Sequence, residues 1–345
     1  MPVDLDDLKL VARIDRSNMI GEVDRFPDVF LRARDQWDAS LKKPRSSIQN
    51  LVMMGMGGSA SAADVVLDWL KVALHVPAMV IREPGLPAFV NARTLFIAIS
   101  YSGETSETLA AFQEARNRGS SLIGIGHGGS LASFCNRCKA PFLQVEASLA
   151  PRAALGQLIV AAAIALERAN LVRSTTRERS MVAQELVRIR RRCRVETPLA
   201  NNPAKSLAEK LVGHLLVIYS LQRMSSVARR FKNQLAENSK LLAKYDLLPE
   251  AGHNEVEGWH ESDNMLPVII RDTEETAFER SVVRAFRATI GSSGSHPLDV
   301  RVAGRGRLSR LLSPIFLLDY VSLYLALLRR VDPTPTSLIN AYKKR

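Results

Sequence analysis

The chain has 345 residues, 46% hydrophobic and 24% charged, a soluble globular balance long enough for two domains with separate cores. Forty-seven Lys and Arg against 35 Asp and Glu leave a formal charge of +12; the excess is mostly Arg scattered over helix surfaces, as in 173–195, with no zinc-finger, RRM or KH signature, so nucleic-acid binding is set aside and an anionic substrate is not. Three cysteines make no disulfide framework, which points to a reducing, cytoplasmic setting.

The N-terminus, MPVDLDDLKLVARID, is acidic and lacks a continuous apolar stretch, so no signal peptide is expected, and residues 1–45 read as a helical extension. From 46 to 170, apolar runs alternate with amphipathic stretches: NLVMM at 50–54, a helix near 60–74, AMVIR at 78–82, LFIAIS at 95–100, a helix near 105–118, a strand within 120–126, PFLQV at 141–145 and a helix over 153–169. Such alternation predicts a parallel sheet flanked by helices. Cys135 and Cys138 form a C-x-x-C without a second pair to complete a zinc site, and read as helix residues. LIVAAAIAL, 158–166, stops at Glu167 and is too short to span a membrane.

An Arg-rich helical connector over 171–205 leads to a second unit, 206–345, with the same grammar. Its elements are HLLVIYS at 214–220, a helix near 226–243, MLPVIIRD at 265–272, a helix near 274–289, HPLDVRV at 296–302 and a helix over about 307–330. Asp319 interrupts the apolar IFLLDYVSLYLALL of that last helix, which reads as a buried core helix, so no membrane span is expected. The predicted fold class is α/β, two tandem three-layer αβα sandwiches with parallel, doubly wound, flavodoxin-like sheets.

Two strand-to-helix loops stand out. The strand ending at Ile99 empties into SYSGETSET, where Ser100, Ser102, Thr105, Ser106 and Thr108 carry hydroxyls and Gly103 permits a tight turn. The first N–H groups of the following helix have no intrahelical partner, and the positive end of its dipole suits a phosphate. Taken alone, the same residues equally make a Ser/Thr helix cap. A second loop of this design, GMGGSAS at 55–61, follows NLVMM, and in an open parallel sheet such loops gather where ligands bind. Neither loop has the P-loop Gly-Lys-Ser/Thr or the full G-x-G-x-x-G spacing, so a nucleotide is not required. HLLVIYSLQRMSS in the second unit has no counterpart of SYSGETSET, which confines the expected phosphate site to the first.

Residues 231–261 are the most polar specifically patterned stretch, and hold two candidates for proton transfer: Glu237 in a helical pattern, and His253 after the breakers Pro249 and Gly252. Each also suits a structural place, on a solvated helix face or in a turn.

GMGGSA at 55–60, SYSGETSETL at 100–109, APRAALG at 150–156, ENSK at 237–240, LPEAGHNEVEGW at 248–259 and DPTPTSLINAYK at 332–343 together resemble the bifunctional phosphoglucose/phosphomannose isomerases of the sugar isomerase (SIS) superfamily. The resemblance runs in order along nearly the whole chain. It implies a phosphorylated hexose as substrate, with Ser59, Ser100, Ser102 and Thr105 on its 6-phosphate and Gly57 and Gly58 allowing backbone approach. It further implies that His253, contributed by the neighbouring subunit of a homodimer, opens the sugar ring. Glu237 would carry a proton between C2 and C1 through a cis-enediol, Arg152 would stand beside the enediolate, and Lys343 would assist at the ring oxygen and hydroxyls. Thr336 would make room for rotation about C2–C3, although a cap or turn near Pro333 and Pro335 suits it equally. No metal and no cofactor are implied.

Three positions depart from the family's pattern: Ala60 for Gly, Ser239 for Ala, and Glu104 for Asn, the last adding a solvent-screened repulsion to a nearby dianion. The competing readings are a non-catalytic sugar-phosphate sensor, which has no use for Arg152, Glu237 and His253, and a SIS isomerase or deglycase for another phosphosugar.

Overall fold

A computed structural model describes residues 3–33, 47–148, 150–261 and 264–343. The chain forms two compact units, Arg25–Ala183 and Met1–Asp24 with Gln184–Arg345. The helices expected over 1–45 are divided between them: α1 (Leu8–Ile14) and α2 (Met19–Asp24) belong to the second unit and α3 (Phe26–Ala33) to the first. The remainder of that expected extension lies outside the described residues.

The first unit continues with β1 (Asn50–Met54), α4 (Gly57–Leu70), β2 (Ala78–Ile81), β3 (Thr94–Ile99), α5 (Ser106–Asn117), β4 (Ser121–Gly126), α6 (Gly129–Cys138), β5 (Phe142–Gln144) and α7 (Leu155–Arg168). All five expected strands are present, in the parallel order β2-β1-β3-β4-β5. β1 and β3 are buried on both faces, which is why they read as unbroken apolar runs. Val52, Met54, Phe96 and Ala98 pack with Ala111 and Phe112 of α5 and Leu131 and Cys135 of α6. α7, buried continuously from Leu155 to Leu166, packs on α3, α4 and β4. Cys135 is enclosed in this core, and burial pushes its thiol up to about 12, as expected of a structural rather than a reactive cysteine.

α8 (Thr176–Cys193) carries the boundary between the units, inside the expected connector. The second unit then holds α9 (Pro203–Leu211), β6 (Leu215–Leu221), α10 (Ser225–Glu237), β7 (Ala243–Leu248), β8 (Met265–Arg271), α11 (Ala277–Ser292), β9 (Leu298–Arg301), α12 (Arg307–Leu328) and α13 (Ser337–Lys343). Its parallel sheet has the order β7-β6-β8-β9, repeating the first four positions of the first sheet. Tyr219, Trp259 and Ile269 pack with Val283, Phe286 and Ile290 of α11, while α12 packs against α9 and α10. α12 is long and apolar enough to cross a membrane, but 94% of its most apolar window is buried, as in a core helix. Its Asp319 meets Arg230 of α10 through both oxygens, at 3.0 and 2.6 Å.

One expected element is corrected. The helix predicted over 226–243 stops at Glu237, and β7 follows. The helical spacing of apolar residues continues through Leu241 and Leu242, but Lys240 turns left-handed at φ +53° and breaks the helix.

Candidate active site

β1 and β3 are neighbours from which the chain crosses to opposite sides of the sheet, so their carboxyl ends frame the switch-point crevice. Both hydroxyl loops leave from there. α4 opens at Gly57, where an added Cβ would meet nothing within 4 Å, and one at Gly58 would lie 3.2 Å from Pro151 O and 3.3 Å from Arg152 Cα. A glycine at 58 therefore lets the Arg152 backbone lie against the start of α4. Across the crevice, Gly103 turns at φ +73°, and a Cβ there would fall 1.9 Å from Gly128 O.

The directions of the hydrogen bonds matter more than the number of hydroxyls. Ser59 Oγ accepts from Tyr101 N at 3.2 Å, and Ser102 Oγ accepts from Glu104 N at 3.2 Å. Ser100 Oγ donates to Thr105 Oγ1 at 3.1 Å. Ser59, Ser102 and Thr105 thus use lone pairs to satisfy the fold and keep a proton to donate, which suits an anion that only accepts. Thr105 is the N-cap residue of α5, yet its side chain makes no capping bond, and α4 likewise begins without one. Thr105 therefore does not act as a side-chain cap of α5, since a Ser/Thr cap would spend its oxygen on the first helical amides.

Two neighbouring hydroxyls stand apart: Ser106 Oγ donates to Glu107 Oε2 at 3.0 Å, and Thr108 is buried in α5, where its hydroxyl has no hydrogen-bond partner among the described residues. Glu104 is bound to the neighbouring helix. Its carboxylate accepts from Ser130 N and Ser130 Oγ, both at 2.8 Å, at the start of α6, and these bonds hold it below the usual carboxylate range.

Arg152 is buried, 3% exposed, in a 3₁₀ turn (Pro151–Ala154) that runs into α7. The structure therefore groups Gly57, Gly58, Ser59, Ser100, Ser102, Thr105 and the Arg152 backbone in one unit. The remaining predicted residues lie in the other.

Glu237 is the half-buried last residue of α10, and the three residues after it fix that helix end. Asn238 Nδ2 donates to Ser322 Oγ at 2.9 Å and Ser239 Oγ to Ser322 O at 2.5 Å, both on α12. Lys240 Nζ donates to Glu237 O and, at 3.1 Å, to Pro333 O, which brings the segment leading to Thr336 beside the Glu237 turn. Thr336 precedes α13 and accepts from Asn340 N at 3.0 Å through its carbonyl, the first bond of that helix. Lys343 is the exposed last residue of α13.

His253 ends a 3₁₀ turn (Glu250–His253) and is exposed, with no hydrogen-bond partner among the described residues. What holds its loop is a network that joins Glu255 and Trp259 of the motif to Tyr219 of β6 and Lys244 of β7. Trp259 Nε1 donates to Tyr219 Oη at 2.9 Å, Tyr219 Oη donates to Glu255 Oε1 at 2.6 Å, and Lys244 pairs with Glu255 Oε2 at 2.5 Å. Burial first, and the Glu255 carboxylate second, raise the Tyr219 phenol above its ordinary value, keeping it a donor.

In the second sheet, β6 and β8 occupy the places of β1 and β3, and their ends lack a hydroxyl cradle. There the buried Asp272 carboxylate is met by Arg223 at 3.1 Å and by Arg307 and Arg310 at 2.8 Å.

These features define a tandem SIS-domain protein. Residues 46–140 match the SIS domain family, and residues 200–345 match the family described as the bacterial phospho-glucose isomerase C-terminal SIS domain. Among solved structures, a glucose-6-phosphate isomerase like protein from Thermus thermophilus superposes with a TM-score of 0.65 at 18% identity, covering 99% of each chain. The C-terminal domain of glucosamine-fructose-6-phosphate aminotransferase from Francisella tularensis gives a TM-score of 0.70 at 15% identity, covering 92% of this chain and 97% of that one. In sequence, the chain is 34% identical over 313 residues to a bifunctional phosphoglucose/phosphomannose isomerase from Caldicellulosiruptor bescii, covering 89% of this chain and 92% of the relative. A protein of the same name from Aquifex aeolicus is 28% identical over 313 residues, covering 90% and 93%. The chain belongs to the bifunctional phosphoglucose/phosphomannose isomerase family.

Proposed function

We propose that this chain interconverts glucose 6-phosphate and mannose 6-phosphate with fructose 6-phosphate. The observation that carries the reading is the set of hydroxyls at Ser59, Ser102 and Thr105, each already accepting from the fold and each left with a proton for a phosphate oxygen. With the 6-phosphate anchored there, His253 from a second copy of the chain opens the ring. The exposure of His253 supports that assignment, since an exposed imidazole can be reached by another subunit.

Glu237 then takes the proton from C2 of either aldose and returns it to C1, while the proton of the C2 hydroxyl passes to the C1 carbonyl oxygen, so that through the cis-enediol C1–O becomes the hydroxyl and C2–O the ketone. A carboxylate fixed at a helix end suits this transfer, because the proton must reach two adjacent carbons from one position. Arg152 supplies a fixed cation to the enediolate oxygen, and a preformed charge costs no reorganisation as the negative charge develops. Lys343 assists at the ring oxygen and Thr336 leaves room for the C2–C3 rotation that accommodates both epimers. The protein works as a cytoplasmic homodimer in this reading, and its three free thiols suit that compartment. The test is a coupled assay on both aldose phosphates with Glu237→Gln as control. Turnover of both, lost in the variant, is the expected result; no turnover of either, or an undiminished variant, refutes it.

A further inference from the structure

A polar network in the first unit takes no part in the steps above. Residues 145–148, which follow β5, are held at three points by the side chains of His127, Gln157 and Tyr101. Val145 O meets His127 Nδ1 at 3.0 Å, and Glu146 N donates to Gln157 Oε1 at 2.6 Å. Ser148 is held at both backbone polar atoms by one phenol: Tyr101 Oη donates to Ser148 O at 3.0 Å and accepts from Ser148 N at 2.7 Å. The Tyr101 ring also stacks on His127, with centroids 5.9 Å apart.

Tyr101 stands between Ser100 and Ser102 in the hydroxyl loop, and its amide donates to Ser59 in the other loop. Its backbone therefore touches both halves of the phosphate cradle, while its side chain reaches the segment that ends in Arg152. On the far side, the Arg152 backbone lies against Gly58 at the start of α4. A hydroxyl on a rigid ring is suited to such a strut, because one atom both donates and accepts at a fixed distance from the backbone.

We infer that Tyr101 is a positioning residue for the isomerase reaction: its hydroxyl fixes Arg152 relative to the sugar phosphate held by Ser59, Ser102 and Thr105. The inference rests on the role proposed for Arg152. Tyr101→Phe removes both bonds to Ser148 and keeps the ring. The phosphate hydroxyls retain their partners, so KM stays within about twofold, while kcat falls about 10- to 100-fold, the scale of a displaced catalytic group.

A merely structural residue would not give that split, nor the following non-additivity. On an Arg152→Ala background, where no cation remains to be positioned, Tyr101→Phe lowers kcat no further. Amide exchange over 145–148 quickens in Tyr101→Phe, a readout independent of turnover. Additive losses in the cycle, a loss confined to KM, unchanged exchange over 145–148, or a variant that no longer folds would each overturn the inference. Wild-type protein that turns over neither aldose phosphate refutes the isomerase reading instead, and exchange then decides alone whether Tyr101 fixes the segment.

Discussion

Ser102 offers the cleanest measure of the phosphate cradle. It is exposed, and the bond it accepts from Glu104 N passes to water when the hydroxyl is removed, so Ser102→Ala leaves the fold intact. The variant deletes one proton donor to a dianion. A hydrogen bond to a charged group contributes about 1.5–3 kcal/mol, and about 1.4 kcal/mol is tenfold, so KM for either aldose 6-phosphate rises about 10- to 100-fold. The lost contact is distant from C1 and C2 and equal in ground and transition states, so kcat at saturation holds.

Ser106→Ala is the comparator four residues away, because that hydroxyl is bonded to Glu107 and KM should not move. Thr105→Val keeps the side-chain shape but strands the buried Ser100 hydroxyl, which should add a fall in melting temperature to the rise in KM. Initial rates over a range of each sugar phosphate separate these effects. Equal KM for Ser102→Ala and Ser106→Ala, or a loss that falls on kcat, would refute the assignment of free protons to this loop.

Breaking the buried Arg230–Asp319 pair with Asp319→Asn or Arg230→Ala should cost about 3–5 kcal/mol in denaturant unfolding, because the remaining charge stays buried; a loss under about 1 kcal/mol would contradict it. Glu104 is held below the ordinary carboxylate range, so its stabilising share is full above that range and is lost as pH falls through the lowered value. Wild type should therefore melt above Glu104→Gln at neutral pH, and the two should converge in acid; a constant gap would be inconsistent with the Ser130 contacts. Mixing inactive Glu237→Gln and His253→Ala subunits should restore part of the activity, and none after verified exchange would place the histidine within one chain's own site. Ser239→Ala removes one buried hydrogen bond to α12, about 1 kcal/mol of stability, and should leave kcat intact when measured beside Glu237→Gln.

The first sheet was legible because β1 and β3 are covered on both faces and so are written as continuous apolar runs. β7 was not. It is a half-exposed edge strand, AKYDLL, without an apolar run of its own, and the two leucines before it extend the helical period of α10. The hydroxyl loops were equally visible, but composition could not distinguish a helix cap from a phosphate site. Which oxygens accept and which keep a proton appears only once Ser59 is set beside Tyr101 N, 42 residues further on. Glu104 shows the same limit: its partner Ser130 lies 26 residues away at the start of α6, a contact no local pattern announces.

The Glu-Asn-Ser-Lys motif illustrates why a compact signature carries more than one kind of information. Glu237 alone offers a carboxylate for chemistry, and the other three residues stop the helix directly after it. Asn238 and Ser239 are buried against Ser322 of α12, and Lys240 turns left-handed and reaches Pro333 O. The proposed role of Glu237 asks one carboxylate to serve two adjacent carbons from a fixed backbone, and this turn ties α10 to both the core helix and the segment before Thr336. Ser239 follows from the same logic. Its hydroxyl adds a bond to α12 that an alanine at this position would lack, so the departure strengthens the support beneath Glu237 without entering the reaction.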